Sequence, residues 1–94
     1  MNIKVLYRGQ LKIRTGCNSE IIDLDPDEIM EVLLGNLRDK YGKAIEDILF
    51  DDSGHLHPMV LVALNGSQIP GDQKWETILH DRDEVMLMTP IAGG

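Results

Sequence analysis

Apolar and polar positions alternate from Asn2 to Arg8, with Ile3, Val5 and Tyr7 on one side and Lys4, Leu6 and Arg8 on the other. That two-residue period predicts a first strand. Gly9 and Thr15-Gly16-Cys17-Asn18 carry turn chemistry, and Glu20 to Leu24 reads as a second short strand with Ile22 and Leu24 facing together. Between them, Gln10-Leu11-Lys12-Ile13-Arg14 extends the first strand or forms a loop.

The period changes at Asp25-Pro26-Asp27-Glu28. Asp25 can accept from the free amides of a first helical turn, Pro26 suits the first helical position, and Glu28 stands where a capping box places its acid. Ile29, Met30, Leu33, Leu34, Leu37 and Tyr41 then recur at helical spacing, leaving Glu31, Asn36, Arg38 and Asp39 to water. Gly35 inside this helix costs about 1 kcal/mol against alanine, and Gly42 is a natural stop. Lys43 to Phe50 predicts a short second helix or a turn, with Ile45, Ile48 and Leu49 inward, and Asp51 to Gly54 a loop.

Met59 to Leu64 is a continuous apolar run of strand length ending at Asn65-Gly66, a turn dipeptide. Pro70-Gly71-Asp72 predicts a further turn, and Glu76 to Leu79 a single helical turn. From Asp83 to Met88 alternation returns, with Val85 and Leu87 on one side and Met86 and Met88 on the other. The order is strand, strand, helix, strand, small helix, strand.

Composition narrows the function. The 94 residues suit one domain, and 43% hydrophobic with 27% charged residues are globular values. No stretch is long and apolar enough for a membrane span, and the N-terminus lacks a secretion signal, so the expected place is the cytoplasm. A net charge of −7 argues against a nucleic-acid partner, which needs clustered Lys and Arg. Cys17 is the single cysteine, which excludes an internal disulfide and a four-cysteine cluster. His55 and His57 stand two apart without further ligands at metal-binding spacing, so no metal is expected. No serine triad, phosphate loop or paired-carboxylate spacing points to an independent enzyme.

The C-terminal end carries chemistry of another kind. The sequence closes on Gly93-Gly94, after Pro90-Ile91-Ala92. Glycine lacks a Cβ, so such a stalk threads a narrow channel and presents a backbone carboxylate there. Two closing glycines occur by chance about once in 200 chains, so the dipeptide gains meaning only from its context. Pro90 cannot extend a strand ladder and frees the residues after it from the sheet.

In that context the chain resembles the MoaD and ThiS family of ubiquitin-like sulfur carriers, the MoaD type above all. The likeness rests on Ile3-Lys4-Val5-Leu6-Tyr7, Val62-Ala63-Leu64-Asn65-Gly66, Leu79-His80-Asp81-Arg82-Asp83-Glu84-Val85 and Pro90-Ile91-Ala92-Gly93-Gly94. Arg82 departs from it, since the family usually has glycine between the two aspartates, and an arginine there meets a steric penalty if φ is positive. The stretch from Asp51 to Met59 is also longer than in a compact carrier.

The resemblance implies an α+β, β-grasp (ubiquitin-like) domain over residues 1–89, a mixed sheet of four to five strands packed on one main helix, and a flexible tail over 90–94. It implies a carrier rather than an enzyme, with no bound cofactor. A ubiquitin-activating-type adenylyltransferase would use ATP to adenylate the Gly94 carboxylate, and a sulfurtransferase would supply sulfur to form a thiocarboxylate. A larger synthase subunit or another acceptor enzyme would take that sulfur, with molybdopterin and the molybdenum or tungsten cofactor placed first. Gly93 and Gly94 would be the reactive end. Pro90, Ile91 and Ala92 would contact the partner, as would Leu6, Met86 and Met88, whose flexible thioethers adapt to more than one surface. Two other classes stay open: a modifier conjugated through Gly94 to lysines, and a β-grasp interaction module with an idle tail.

Overall fold

The computed structural model describes residues 1–70 and 76–89. Its elements are β1 (Asn2–Arg8), α1 (Gln10–Thr15), β2 (Ser19–Asp23), α2 (Met30–Tyr41), α3 (Lys43–Leu49), β3 (Leu61–Leu64), β4 (Ser67–Gln68) and β5 (Glu84–Met88). The strands form one sheet in the order β2-β1-β5-β3-β4. β5 pairs parallel to β1 and antiparallel to β3, and β1 and β3 each carry an antiparallel edge strand. Two hairpins flanking a helical crossover, with the last strand inserted between them, is the β-grasp arrangement.

Strand alternation decides which face meets the helices. Ile3, Val5 and Tyr7 of β1, Val62 of β3, and Val85 and Leu87 of β5 are fully buried. They share one core with Met30, Leu33, Leu34 and Leu37 of α2 and Ile45 and Leu49 of α3. The inward residues expected on these strands and helices therefore meet in a single cluster. Each fully buried aliphatic side chain contributes about 1.5 to 3 kcal/mol through area removed from water.

Three local expectations need correction. Gln10 to Arg14 is neither strand nor loop but the greater part of α1. Gly9 turns the chain at φ 66, and Gly16 ends the helix in the left-handed region at φ 79. Only Leu11 of this helix is buried, while Ile13 is exposed, so six residues with one anchor leave no helical period in the sequence.

The second correction concerns the start of α2. The expected cap at Asp25-Pro26-Glu28 is not used: Ile29 is the cap residue, in extended conformation and without a side-chain cap bond. The cause is a tertiary pairing. Ile29 bridges Ile78 in antiparallel fashion, the Met30 amide donates to the Thr77 carbonyl at 2.9 Å, and the Leu79 amide donates to the Glu28 carbonyl at 3.0 Å. Backbone from a distant segment thus satisfies an amide that a capping side chain would have served. The same pairing overturns the helical turn expected at Glu76 to Leu79, because Thr77 to Leu79 run extended beside α2's entry, with Leu79 buried and Ile78 exposed.

The third concerns β3, which begins at Leu61 rather than Met59; Val60 is buried and Met59 exposed just ahead of it. The stretch before it is compact. Asp51 Oδ1 accepts from the Ser53 and His55 amides, Phe50 bridges Leu56, and the His57 amide donates to the Leu49 carbonyl at 2.7 Å.

A carboxylate ties β2 to β1 and α2. Tyr7 Oη donates to Glu20 Oε2 at 2.6 Å, Tyr41 Oη donates to the same oxygen, and Lys40 Nζ donates to Glu20 Oε1. Burial works against the Glu20 carboxylate, but the bonds from Lys40, Tyr41 and Tyr7 outweigh it and hold the carboxyl below its ordinary pKa. Burial first, and then Glu20 beside them, pushes both tyrosine hydroxyls well above the ordinary phenol value.

Gly35 lies inside α2 with no atom within 4 Å of the position a Cβ would occupy. Close packing therefore does not require it. Gly35→Ala should raise unfolding stability by about 1 kcal/mol, read as a higher urea midpoint at unchanged slope; a lower midpoint would contradict the open environment.

Candidate functional site

β5 delivers the chain to its last segment, and both ends of β5 are fastened. At its start, the amide of Asn2 donates to Asp81 Oδ1 at 2.7 Å, Arg82's amide to the Asn2 carbonyl at 2.8 Å, and Lys4's amide to the Asp83 carbonyl at 2.9 Å. Asp83 then accepts twice through its side chain, from the His80 amide at 2.8 Å and from Asn65 Nδ2 at 2.9 Å. Asn65 Oδ1 in turn accepts from the Glu84 amide at 2.9 Å. One acidic turn therefore locks β5 to the start of β1 and to the β3–β4 turn. Arg82 adopts φ 70 within it, the strained conformation expected if this turn needs positive φ, at a cost of about 1 to 2 kcal/mol.

At the other end Thr89 is buried. Its Oγ1 accepts from the Gln10 amide at 3.1 Å, and its carbonyl lies against Gly9. A Cβ on Gly9 would sit 2.2 Å from that carbonyl oxygen, and Gly9 has φ 66 and ψ −138. Only glycine accommodates both the approach and the backbone angle.

The sheet face turned away from the helices carries the predicted grouping. Leu6 is registered with Met86, and Met86 with Ala63; Met88 is registered with Arg8 on one side and Leu61 on the other. Registered residues project from the same face, so Leu6, Met86 and Met88 are brought together, each half-buried. Leu61 and Ala63 extend this apolar strip, and Ile21, registered with Lys4 and exposed, stands at its edge. Lys4 and Arg8 flank it. Leu61 and Ala63 are not distinguished in the sequence, because an unbroken apolar run hides which residues alternate outward. Pro90, Ile91, Ala92, Gly93 and Gly94 lie outside the described residues, as does the expected boundary after residue 89.

Other candidate chemistry is not assembled. Cys17 is half-buried, with its Sγ 3.8 Å from Thr15 Oγ1 and 4.0 Å from Tyr41 Oη. His57 Nδ1 accepts from the Met59 amide at 3.2 Å. Among the described residues no group of three or more His, Cys, Asp and Glu could hold a metal ion. Nor is any helix among them long and apolar enough to cross a membrane.

The fold places the chain among ubiquitin-like β-grasp proteins, and solved structures agree. The crystal structure of small archaeal modifier protein 1 from Haloferax volcanii superposes with a TM-score of 0.86 at 23% identity, covering 100% of both chains. Urm1 from Trypanosoma brucei gives 0.81 at 25% identity over 99% of this chain and 95% of its own. Small archaeal modifier protein 1 from Methanosarcina acetivorans gives 0.79 at 27% over 99% and 96%. No curated protein matches the chain by sequence. The ThiS family model matches residues 5–94, and the chain belongs to the ThiS family. Its members are small ubiquitin-like carriers and modifiers, not catalytic enzymes.

The contact between Gly9 and Thr89 yields a direct test. Gly9→Ala should destabilise the fold by about 1 to 3 kcal/mol from backbone strain, with the contact against Thr89 adding to it. Denaturant unfolding followed by circular dichroism measures this, and an unchanged midpoint would show that the approach is not needed.

Proposed function

We propose that the protein is a sulfur carrier whose reactive group is the Gly94 carboxylate. The observation supporting this most directly is that the ThiS family match runs through residue 94, so that Ala92-Gly93-Gly94 lie inside the matched region. The fastened β5 adds a physical reason, since a tail rooted at Thr89 is presented from a fixed point. Residues 90–94 can reach roughly 17 Å when extended, enough to enter a partner's buried site.

The chemistry is dictated by the carboxylate's inertness. Resonance makes it a poor electrophile, so an adenylating partner would join it to the α-phosphate of ATP and release pyrophosphate. A persulfide sulfur would then attack the acyl carbon and expel AMP, leaving an acyl disulfide. A second thiol would cleave the S–S bond, forming a disulfide and releasing the thiocarboxylate, which is nucleophilic at neutral pH. The domain over residues 1–89 acts as the handle, and Leu6, Met86 and Met88 as part of the surface by which partners hold it, with Pro90, Ile91 and Ala92 lining the partner's channel. The acceptor we place first is a cofactor precursor of the molybdopterin type in a larger synthase subunit, on the strength of the MoaD-like stretches.

A second reading keeps the same activated tail and changes the acceptor to a lysine amine, giving an isopeptide bond. The likeness to small archaeal modifier protein 1 of M. acetivorans favours keeping it. Intact mass measurement on protein purified from its own host separates the two. Replacement of one oxygen by sulfur marks the carrier, and conjugates trapped on target lysines mark the modifier; removal of Gly93-Gly94 should abolish either product, and unimpaired function after that removal would overturn both.

The outward sheet face gives a separate prediction. Met88→Glu should weaken binding to the adenylating partner by about tenfold or more, because a carboxylate would be buried against an apolar surface, while leaving thermal unfolding nearly unchanged. Unaltered affinity in a binding titration would remove Met88 from the interface.

A further inference from the structure

The two central strands of the sheet end side by side. β1 and β5 run parallel with Arg8 opposite Met88, and the pairing of β5 with β3 also stops at Met88, opposite Leu61. Thr89 therefore comes next to Gly9 and Gln10, where the chain turns into α1. Apart from Tyr7, Thr89 is the one buried side chain with a polar group among the described residues, at 5% exposed. Valine has nearly the same shape without the cost of burying a hydroxyl, so burial alone does not call for threonine here.

What the hydroxyl does is set by α1. Gly9 is the cap residue of this helix, which therefore has no side-chain cap of its own. The Gln10 amide, one of the first-turn amides that a helix cannot satisfy internally, donates to Thr89 Oγ1 at 3.1 Å. The backbone of Thr89 is restrained from the same place. Gly9 holds φ 66 and ψ −138, and a Cβ on it would stand 2.2 Å from the Thr89 carbonyl oxygen. That carbonyl belongs to the planar peptide joining Thr89 to Pro90, so its seat against Gly9 fixes the plane from which the chain continues. A residue before proline is also held to extended backbone. Side chain and carbonyl are thus fixed together, one residue past the last ladder pair.

We propose that Thr89 is a positioning residue for the reaction of Gly94: its hydroxyl, bonded to the Gln10 amide, sets the direction in which the tail leaves the domain. The proposal rests on the carrier reading above and adds how the tail is aimed. A turn of about 20° at the root moves the end of an extended five-residue tail by about 6 Å, whereas a reacting carboxylate must be placed to about 1 Å. A partner that holds the domain gains the reactive geometry from a fixed root and loses it from a loose one. Loss of the bond therefore slows the bound complex and leaves its formation nearly as before.

The test is ATP–pyrophosphate exchange catalysed by the adenylating enzyme encoded in the same genome, with the full chain as co-substrate. Thr89→Val, which keeps the shape and removes the acceptor, should lower kcat about tenfold with KM within about twofold. Thr89→Ser, which keeps the acceptor, should return kcat to within about twofold of wild type. A merely structural role reads differently, because a partly unfolded carrier raises the apparent KM by the inverse of its folded fraction and leaves kcat at saturation unchanged. Gln10→Pro removes the same bond from the donor side, suits a first helical position, and carries the test if Thr89→Val does not fold. Combined with Thr89→Val it should lower kcat no further than either change alone, since both remove one bond. Wild-type kcat in Thr89→Val and Gln10→Pro overturns the proposal, as does a loss confined to KM or a Thr89→Ser variant as slow as Thr89→Val. Absence of exchange with the wild type removes the carrier reading and the positioning role with it, a result distinct from exchange that Thr89→Val leaves intact.

Discussion

The structure depends on the parallel pairing of β5 with β1. Lys4 to Arg8 lie against Glu84 to Met88 residue by residue, and no local turn could have made that pairing, since parallel neighbours need a long crossover. Residues 24 to 60, with α2 and α3, lie between the two hairpins that flank it. Because β5 enters the centre of the sheet last among the described strands, it completes the core between two hairpins already defined by the earlier ones. Val85 and Leu87 close the helix-packed side while Met86 and Met88 complete the opposite face, so the core and the outward face draw on alternate residues of one strand.

Much of this was legible. The period-two runs at Asn2 to Arg8 and Asp83 to Met88 gave strands with the correct inward faces, and the helical spacing from Ile29 to Tyr41 gave the body and the end of α2, though its start was expected at Pro26 rather than Met30. The outward grouping of Leu6 with Met86 and Met88 came from alternation together with the resemblance. What failed did so where long-range pairing outranked local preference. Asp25, Pro26 and Glu28 form a sound start signal, yet a bridge between Ile29 and Ile78 delays the helix, and nothing near either residue in sequence announces the other. α1 is hidden because a single buried leucine leaves no period to read, and the Gly9–Thr89 contact joins residues 80 positions apart.

Arg82 shows how local strain is tolerated. The surrounding turn is fixed by bonds from Asn2, Lys4, His80 and Asn65, which converge on Asp81, Arg82 and Asp83. With the position so over-determined, a residue of unfavourable φ persists at a cost smaller than the bonds that impose it.

The direction of β1 carries a consequence for handling and for gene fusion. Met1, whose amine donates to the Leu24 carbonyl, stands at the end of the sheet remote from Thr89, because β1 and β5 run the same way, about 26 Å along the strands at some 3.3 Å per residue. The described sheet is therefore bipolar: an affinity handle or a second domain joined ahead of Met1 emerges at the pole opposite Thr89.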